Sequence, residues 1–352
     1  GTVPDARFPA TLPAVSGANL TNLPAGGQAA NLLINGQFNV WQRGTDSGSN
    51  TSDLYVADRW YAAASGATKQ VTRQAFTLGQ TDVPSNPKYY LRYAVTTGNN
   101  NAALRQRIED VTRVQGQVTL SFWVKGSNPA GGSFNITNRQ HFGTGGSASS
   151  PVDTGVGDFT VTASWAKKTF TFTPPSISGK TLGTNNDSYY ELEVFRQPAG
   201  DTGTAAYTID IANVQLEKGG EATDYAVESY DDTLQKCKRY CHVVAAQEYT
   251  PLGIGFQYYS GTLFIPYGPI DMRTTPTMVA KSGVSGAYVY EKIFSNSPEY
   301  HHEIGLNGKT KKDHALFTMS GDNTDAGEAV RCSAHAFSLQ NNEPFVYLDA
   351  EF

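Results

Sequence analysis

Apolar and polar side chains alternate with a period of two along most of the chain, the mark of strands with one face on a core and the other in water. Val118, Leu120, Phe122 and Val124 alternate with Thr119, Ser121, Trp123 and Lys125, and Tyr190, Leu192 and Val194 alternate with Glu191, Glu193 and Phe195. Phe170 and Phe172 alternate with Thr169, Thr171 and Thr173 until Pro174-Pro175 ends the run. A fourth run, Tyr207, Ile209 and Ile211, changes phase near Ala212-Asn213 and resumes with Val214 and Leu216, which predicts a β-bulge and a bent strand. Between the runs lie loops rich in Gly, Ser, Asn and Thr, such as Gly143–Ser150 and Ser176–Ser188, suited to one exposed end of a sandwich. Residues 31–227 therefore read as an all-β unit, an antiparallel jelly-roll sandwich of eight or more strands.

One helix is predicted, over Tyr230 to Tyr240, within a connector at 228–242. Asp231 and Asp232 open it and Lys236, Lys238 and Arg239 close it, as the helix dipole favours, while Leu234, Cys237 and Cys241 form an apolar stripe. Alternation then returns at Gly261–Pro266, Ala287–Phe294, His314–Met319, Arg331–Leu339 and Phe345–Phe352, predicting a second, smaller β-rich domain at 243–352, the tip. Residues 1–30 differ from all of this. Asp5 and Arg7 are their only charges, and Pro4, Pro9, Pro13 and Pro24 forbid helix, so an extended stalk is expected. The chain opens on Gly1 in mid-phrase, which leads us to expect a longer protein upstream.

Composition narrows the function. Charged residues make up 17% and the formal net charge is −5. With no basic stripe, nucleic acid is excluded as the expected partner. No apolar run approaches the roughly 20 residues of a membrane helix, so membrane insertion is not expected either. Cys237, Cys241 and Cys332 are an odd set, which reads as reduced thiols rather than a disulfide framework. Cys237, Cys241 and His242 invite a metal reading, but structural zinc sites usually pair cysteines as CxxC.

The phrases in these segments carry a resemblance. Asn31-Leu32-Leu33-Ile34-Asn35-Gly36-Gln37-Phe38 leads into Val40-Trp41-Gln42-Arg43-Gly44, and Ala57-Asp58-Arg59-Trp60 follows. Then come Leu104 to Glu109, Val118 to Lys125, Ile211 to Gly219 with Ala222-Thr223, and Leu234 to Tyr240. In this order they resemble the tail-fibre and receptor-binding proteins of tailed bacteriophages that carry a carbohydrate-binding-module-like jelly roll. Gly1 to Leu23 is similar to the collar repeats of phage fibres, and Met272-Arg273 with Pro276-Thr277 to a phrase that often follows the helix. Cys241 departs from the pattern, which usually has an aromatic there, and the rest of the tip matches nothing known to us. The resemblance implies a virion tail-fibre component in the distal fibre, a homotrimer, joined through its N-terminal region to other tail or baseplate proteins and touching a bacterial surface polysaccharide or lipopolysaccharide.

Sugar binding needs flat aromatic faces and planar polar partners. The tip supplies Tyr249, Tyr258, Tyr259, Tyr267, Tyr288, Tyr290 and Tyr300, with His301, His302, Glu303, Asp322 and Asn323 beside them. We take Tyr258, Tyr259, Tyr288, Tyr290, Tyr300, His301, His302, Asp322 and Asn323 as candidate ligand-binding residues. Trp41, Trp60, Trp123 and Trp165 read as core or sheet-face residues. Calcium is the one cofactor left open, through oxygen ligands in Ser320–Glu328, although the spacing fails the EF-hand pattern and an acidic turn explains it as well. His301, His302 and His314 show no regular His-x-His repeat for a transition metal. For glycan hydrolysis, Glu191 and Glu193 share one strand face and Asp231 and Asp232 cap a helix, so no carboxylate pair straddles an evident cleft. No Gly-x-Ser-x-Gly elbow, Walker loop or HExxH motif occurs. The expectation is a non-enzymatic adhesin. A purely structural fibre or baseplate module is the alternative, and a tailspike depolymerase the third reading.

Overall fold

The structure is a computed structural model. It describes residues 30–64, 66–98, 102–128, 132–197, 206–245, 250–259, 262–267, 271–280, 288–292, 298–301, 303–306, 315–320, 329–334 and 346–352. The stalk reading of residues 1–29 lies outside the described residues.

Eleven strands build the sandwich: β1 (Leu54–Tyr55), β2 (Tyr61–Ala64), β3 (Ala67–Ala75), β4 (Tyr89–Gly98), β5 (Ala102–Glu109), β6 (Val118–Gly126), β7 (Phe134–His141), β8 (Val152–Phe159), β9 (Ala166–Phe172), β10 (Tyr189–Arg196) and β11 (Tyr207–Lys218). They pair antiparallel into a six-stranded sheet, β1-β2-β5-β10-β7-β8, and a five-stranded sheet, β3-β4-β11-β6-β9. This is an antiparallel jelly-roll sandwich. Alternation decides which side chains meet inside: Leu120 and Phe122 of β6 and Ile209 and Ile211 of β11 share one buried core with Leu104 of β5 and Tyr190 and Leu192 of β10. Phe134 is fully buried and meets the rings of Phe195 and Tyr207 edge-on at 5.5 and 5.4 Å. Each such side chain contributes about 1.5–3 kcal/mol by leaving water.

The phase change read in the fourth run is a bulge. The β11–β6 register shifts between Ala212 and Gln215, and Asn213 sits at φ 50°. Asparagine tolerates that left-handed conformation because its amide can bond locally. Here the Asn213 amide donates to the Pro84 carbonyl and to Ser85 Oγ, both at 3.0 Å, and Gln37 donates to its Oδ1 at 3.1 Å. The opening phrase, 31–44, packs against this strand. Asn31 accepts from the Leu216 amide at 3.0 Å and donates to the Val214 carbonyl at 2.9 Å. Gly36 passes so close that a Cβ there would lie 2.1 Å from the Val214 oxygen. Trp60 is fully buried and donates to the Asn35 carbonyl at 3.0 Å. The phrase thus contributes Leu33 and Phe38 to the core itself.

Helix α1 covers Tyr230–Lys238, with Ser229 accepting from the Asp232 amide at 3.1 Å as its cap. It ends before Cys241, which opens strand β12 (Cys241–Ala245). The expected helical stripe through Cys241 is therefore corrected: Cys237 is on the helix and Cys241 on a strand, both buried and free. Burial pushes both thiols well up, so they are inert as thiolates.

Beyond β12 the chain forms β13 (Thr250–Tyr259), β14 (Thr262–Tyr267), β15 (Thr277–Ala280), β16 (Tyr288–Lys292), β17 (Pro298–His301), β18 (Glu303–Leu306), β19 (Ala315–Ser320), β20 (Ala329–Ala334) and β21 (Val346–Asp349). Seven of these make one antiparallel sheet, β17-β16-β20-β13-β14-β19-β18. The other two join β12 in a three-stranded sheet, β12-β21-β15.

After β21 the chain returns to the sandwich. The Ala350 amide donates to the Tyr240 carbonyl at 2.8 Å, and Arg273 donates to the carbonyls of Ala350 and Glu351, both at 2.9 Å. Glu351 enters a socket built from the landmark phrases: its carboxylate accepts from Arg59 and, at 3.4 Å, from Arg43. The Arg59 guanidinium lies 3.4 Å above the Tyr240 ring and also donates to the Arg107 carbonyl. Burial opposes the Arg59 charge, and the combined attraction of Glu351 and the surrounding Tyr240, Tyr55 and Cys237 outweighs it, so the guanidinium stays protonated.

Candidate functional site

The outer face of the six-stranded sheet carries the most concentrated polar chemistry among the described residues. On β10, Tyr190, Leu192 and Val194 enter the core, so Tyr189, Glu191 and Glu193 take the opposite face. The same alternation on β5 buries Leu104 and Ile108 and turns Arg105 and Arg107 outward. Antiparallel register then sets Arg107 opposite Glu191 and Arg105 opposite Glu193 across β5–β10, and Arg139 opposite Glu191 and Thr137 opposite Glu193 across β10–β7. One strand further, Asp153 of β8 stands opposite Arg139 and Gly155 opposite Thr137. Opposite charges facing each other across strands support the sheet.

Side-chain geometry follows the register. Arg107 Nε donates to Glu191 at 2.6 Å, and Arg105 Nη1 reaches Glu191 at 3.3 Å and Glu193 at 3.6 Å. Thr137 donates to the other oxygen of Glu193 at 2.5 Å, and Arg196 stands 3.7 Å from that oxygen. Arg139 grips Asp153 with two bonds, 2.6 and 2.8 Å. That fork lowers the Asp153 carboxyl below its usual range and raises Arg139. Burial works against the Arg107 charge, and Glu191 outweighs it. The groove between these side chains has a volume of about 450 Å³ and is floored by small residues, Ala63 and Gly155. At its margins Arg105 lies 4.8 Å over the Tyr61 ring and Arg107 4.5 Å over the Tyr189 ring, which stacks on His141 at 4.5 Å with the planes 1° apart. Burial lowers the His141 pKa. Arg105 Nε is buried and has no acceptor among the described residues.

Chemically this is a row of planar donors and acceptors, open on the side away from the core. It can bind vicinal hydroxyls through guanidinium and carboxylate forks. Glu191 accepts from Arg105 and Arg107, and Glu193 from Thr137.

The described residues among those proposed from the sequence lie on other strands. Tyr288 and Tyr290 lie on β16, with Tyr288 opposite His301 and Val289 opposite Tyr300 of β17. Tyr258 and Tyr259 end β13, which β20 separates from β16. His302, Asp322 and Asn323 lie outside the described residues, as do His314 and most of the acidic stretch proposed for calcium. The register thus brings Tyr288, Tyr290, Tyr300 and His301 onto two adjacent strands. Among the described residues no group of three or more His, Cys, Asp or Glu is placed to hold a metal ion. No helix of the described residues is long and apolar enough to cross a membrane. The groove itself was missed because its two charge pairs, Arg105-x-Arg107 and Glu191-x-Glu193, lie far apart in sequence. Their strand alternation was visible; their pairing was not.

No protein-family profile and no curated protein sequence matches the chain. Among solved structures it is similar to the enzymatically active domain of bacteriophage CBA120 tailspike protein 4, with 16% identity over 53% of this chain and 21% of that one, at a TM-score of 0.30. It thus spans about a fifth of the length of that solved domain. It is also similar to the CBM22-1 xylan-binding domain of Xyn10C from Paenibacillus barcinonensis, with 18% identity over 55% of this chain and 98% of that one, at a TM-score of 0.30. The tandem CBM22-1–CBM22-2 domain of the same protein gives 14% identity over 93% and 97%, at a TM-score of 0.31.

Proposed function

We propose that this chain is a non-enzymatic adhesin of a phage tail fibre, which attaches the virion to its host by binding a surface glycan in the groove on the six-stranded sheet. One observation carries the reading: a cross-strand ladder of paired Arg and carboxylate side chains with an unpartnered buried donor, Arg105 Nε, surrounding an open groove of about 450 Å³. The groove is open to solvent, so the hydroxyls of a glycan can reach the guanidinium and carboxylate groups that line it. The phage context and the homotrimer rest on the resemblance of the phrases over 31–241 to phage tail-fibre proteins. The tip residues Tyr258, Tyr259, Tyr288, Tyr290, Tyr300, His301, His302, Asp322 and Asn323 are proposed as further receptor contacts.

The test is adsorption of the labelled full chain to bacterial cells, with reducing ends released from their surface polysaccharide measured in the same tubes. Saturable adsorption that Glu193→Gln and Arg139→Ala weaken, without release, is the expected result. Release of reducing ends would make the protein a depolymerase, and absence of both would leave a structural fibre module.

A further inference from the structure

A second cleft lies away from this groove, between the edge of the sandwich and helix α1, and at about 880 Å³ it is the larger of the two. One wall is helical. Tyr230, Leu234 and Lys238 follow one another at i, i+4 and i+8 and line the cleft together, while Thr233 and Cys237 take the buried side. Tyr230 is 54% exposed, so its ring is accessible from the cleft. The facing wall holds Trp41 and Tyr89. The Trp41 indole donates to the Phe38 carbonyl at 2.7 Å, which fixes its ring, and Tyr89 has Arg73 4.3 Å and Lys88 5.1 Å over its ring.

The rim is preorganised. Ser85 and Asn86 are consecutive non-glycine residues at φ 64° and 49°, a pairing that stores backbone strain. The bulge residue Asn213 holds that turn through its two bonds to Pro84 and Ser85, so a distortion of β11 is used to shape the rim of this cleft. Charge is one-sided. Arg73, Lys88 and Lys238 face the cleft, and its carboxylate, Glu228, is taken by Lys236.

We infer that this cleft is a second saccharide site, selective for an acidic sugar chain whose rings stack on Trp41 and Tyr230 and whose carboxylates meet Lys238 and the cations over Tyr89, Arg73 and Lys88. Rings of this kind take the apolar face of a pyranose, and the carboxamides of Asn39 and Asn86 on the rim suit its hydroxyls. The first groove pairs its cations with carboxylates of its own; this cleft leaves a surplus of positive charge for the ligand's. Salt therefore acts on this site and much less on the other.

The probe is fluorescent hexagalacturonate titrated against the full chain, with a neutral xylohexaose as comparison. Saturable binding of the uronate that weakens in added salt is expected, with at least about a tenfold loss in the Tyr230→Ala/Lys238→Glu double variant and in Lys88→Glu. These are surface changes, and unchanged melting curves would show that the fold is intact. Arg139→Ala, in the sheet groove, should leave uronate binding in place. No uronate binding, equal affinity for the neutral hexamer, or loss with Arg139→Ala but not with Tyr230→Ala/Lys238→Glu would each overturn the inference. Cell adsorption through the sheet groove is read separately, so either site can fail alone.

Discussion

Glu351→Gln tests how the returning end of the chain is held. The substitution removes one charge at nearly constant shape from a contact whose side chains, Glu351 and Arg59, are 2% and 1% exposed. Breaking one side of a buried ion pair costs about 3–5 kcal/mol, because the surviving charge is left in a low-dielectric site. Arg43 retains Asp349 at 3.2 Å and Asp58 at 3.8 Å, and Arg59 retains the Tyr240 face and the Arg107 carbonyl, so the lower end of that range applies, about 3 kcal/mol. In a folded unit of roughly 200 residues, 1 kcal/mol moves Tm by about 2–4 °C, so calorimetry should show a fall of about 6–12 °C. Arg59→Met should cost a similar amount. The double variant should cost much less than the sum, since both charges leave together and no orphan remains. A Glu351→Gln protein melting within about 2 °C of wild type, or a strictly additive double variant, would refute the view that this pair latches the end of the chain onto the sandwich.

Other outcomes follow from single positions. Gly126→Ala places a Cβ 2.0 Å from the Thr208 carbonyl at φ 148°, so β6 must part from β11 and urea denaturation should show a loss above about 2 kcal/mol. Asn213→Ala forfeits both bonds to the 84–85 turn and an easily adopted left-handed conformation, which should cost about 1–3 kcal/mol by the same assay. The Asp187 carboxyl is held low by the Thr144 hydroxyl, and Asp153 by Arg139. Groups lowered by folding stabilise above their ordinary value of 3.8 and lose that contribution as pH falls through the lowered one, so Tm should drop below about pH 4 and Asp187→Asn should flatten the fall. On the tip, Tyr288→Ala/Tyr290→Ala should reduce cell adsorption with the sandwich melting transition unchanged, if these residues touch the receptor.

Much of the sandwich was legible in the chain because burial on one face imposes alternation whatever the neighbouring strand is. The runs at 118–124, 190–194 and 207–216 became β6, β10 and β11, and the phase slip at Ala212-Asn213 became the bulge. Local capping likewise marked α1, through Asp231, Asp232 and the lysines of its last turn. Its C-terminal end was less legible: with no glycine or proline after Lys238, nothing local separates Cys241 on a strand from Cys241 on a helical face.

What the chain determined by itself, then, is its class of elements and which face of each strand is apolar, since these depend on neighbours two to four residues away. Tertiary structure alone decided which outer faces enclose a groove or a cleft. Arg105 meets Glu191 across 86 residues, Arg59 meets Glu351 across 292, and Tyr230 faces Tyr89 only because α1 packs beside the edge of the sandwich. Charge on an exposed strand position carries no trace of its partner in the sequence. The pairing is set by strand order, and strand order is set by the packing of the whole core.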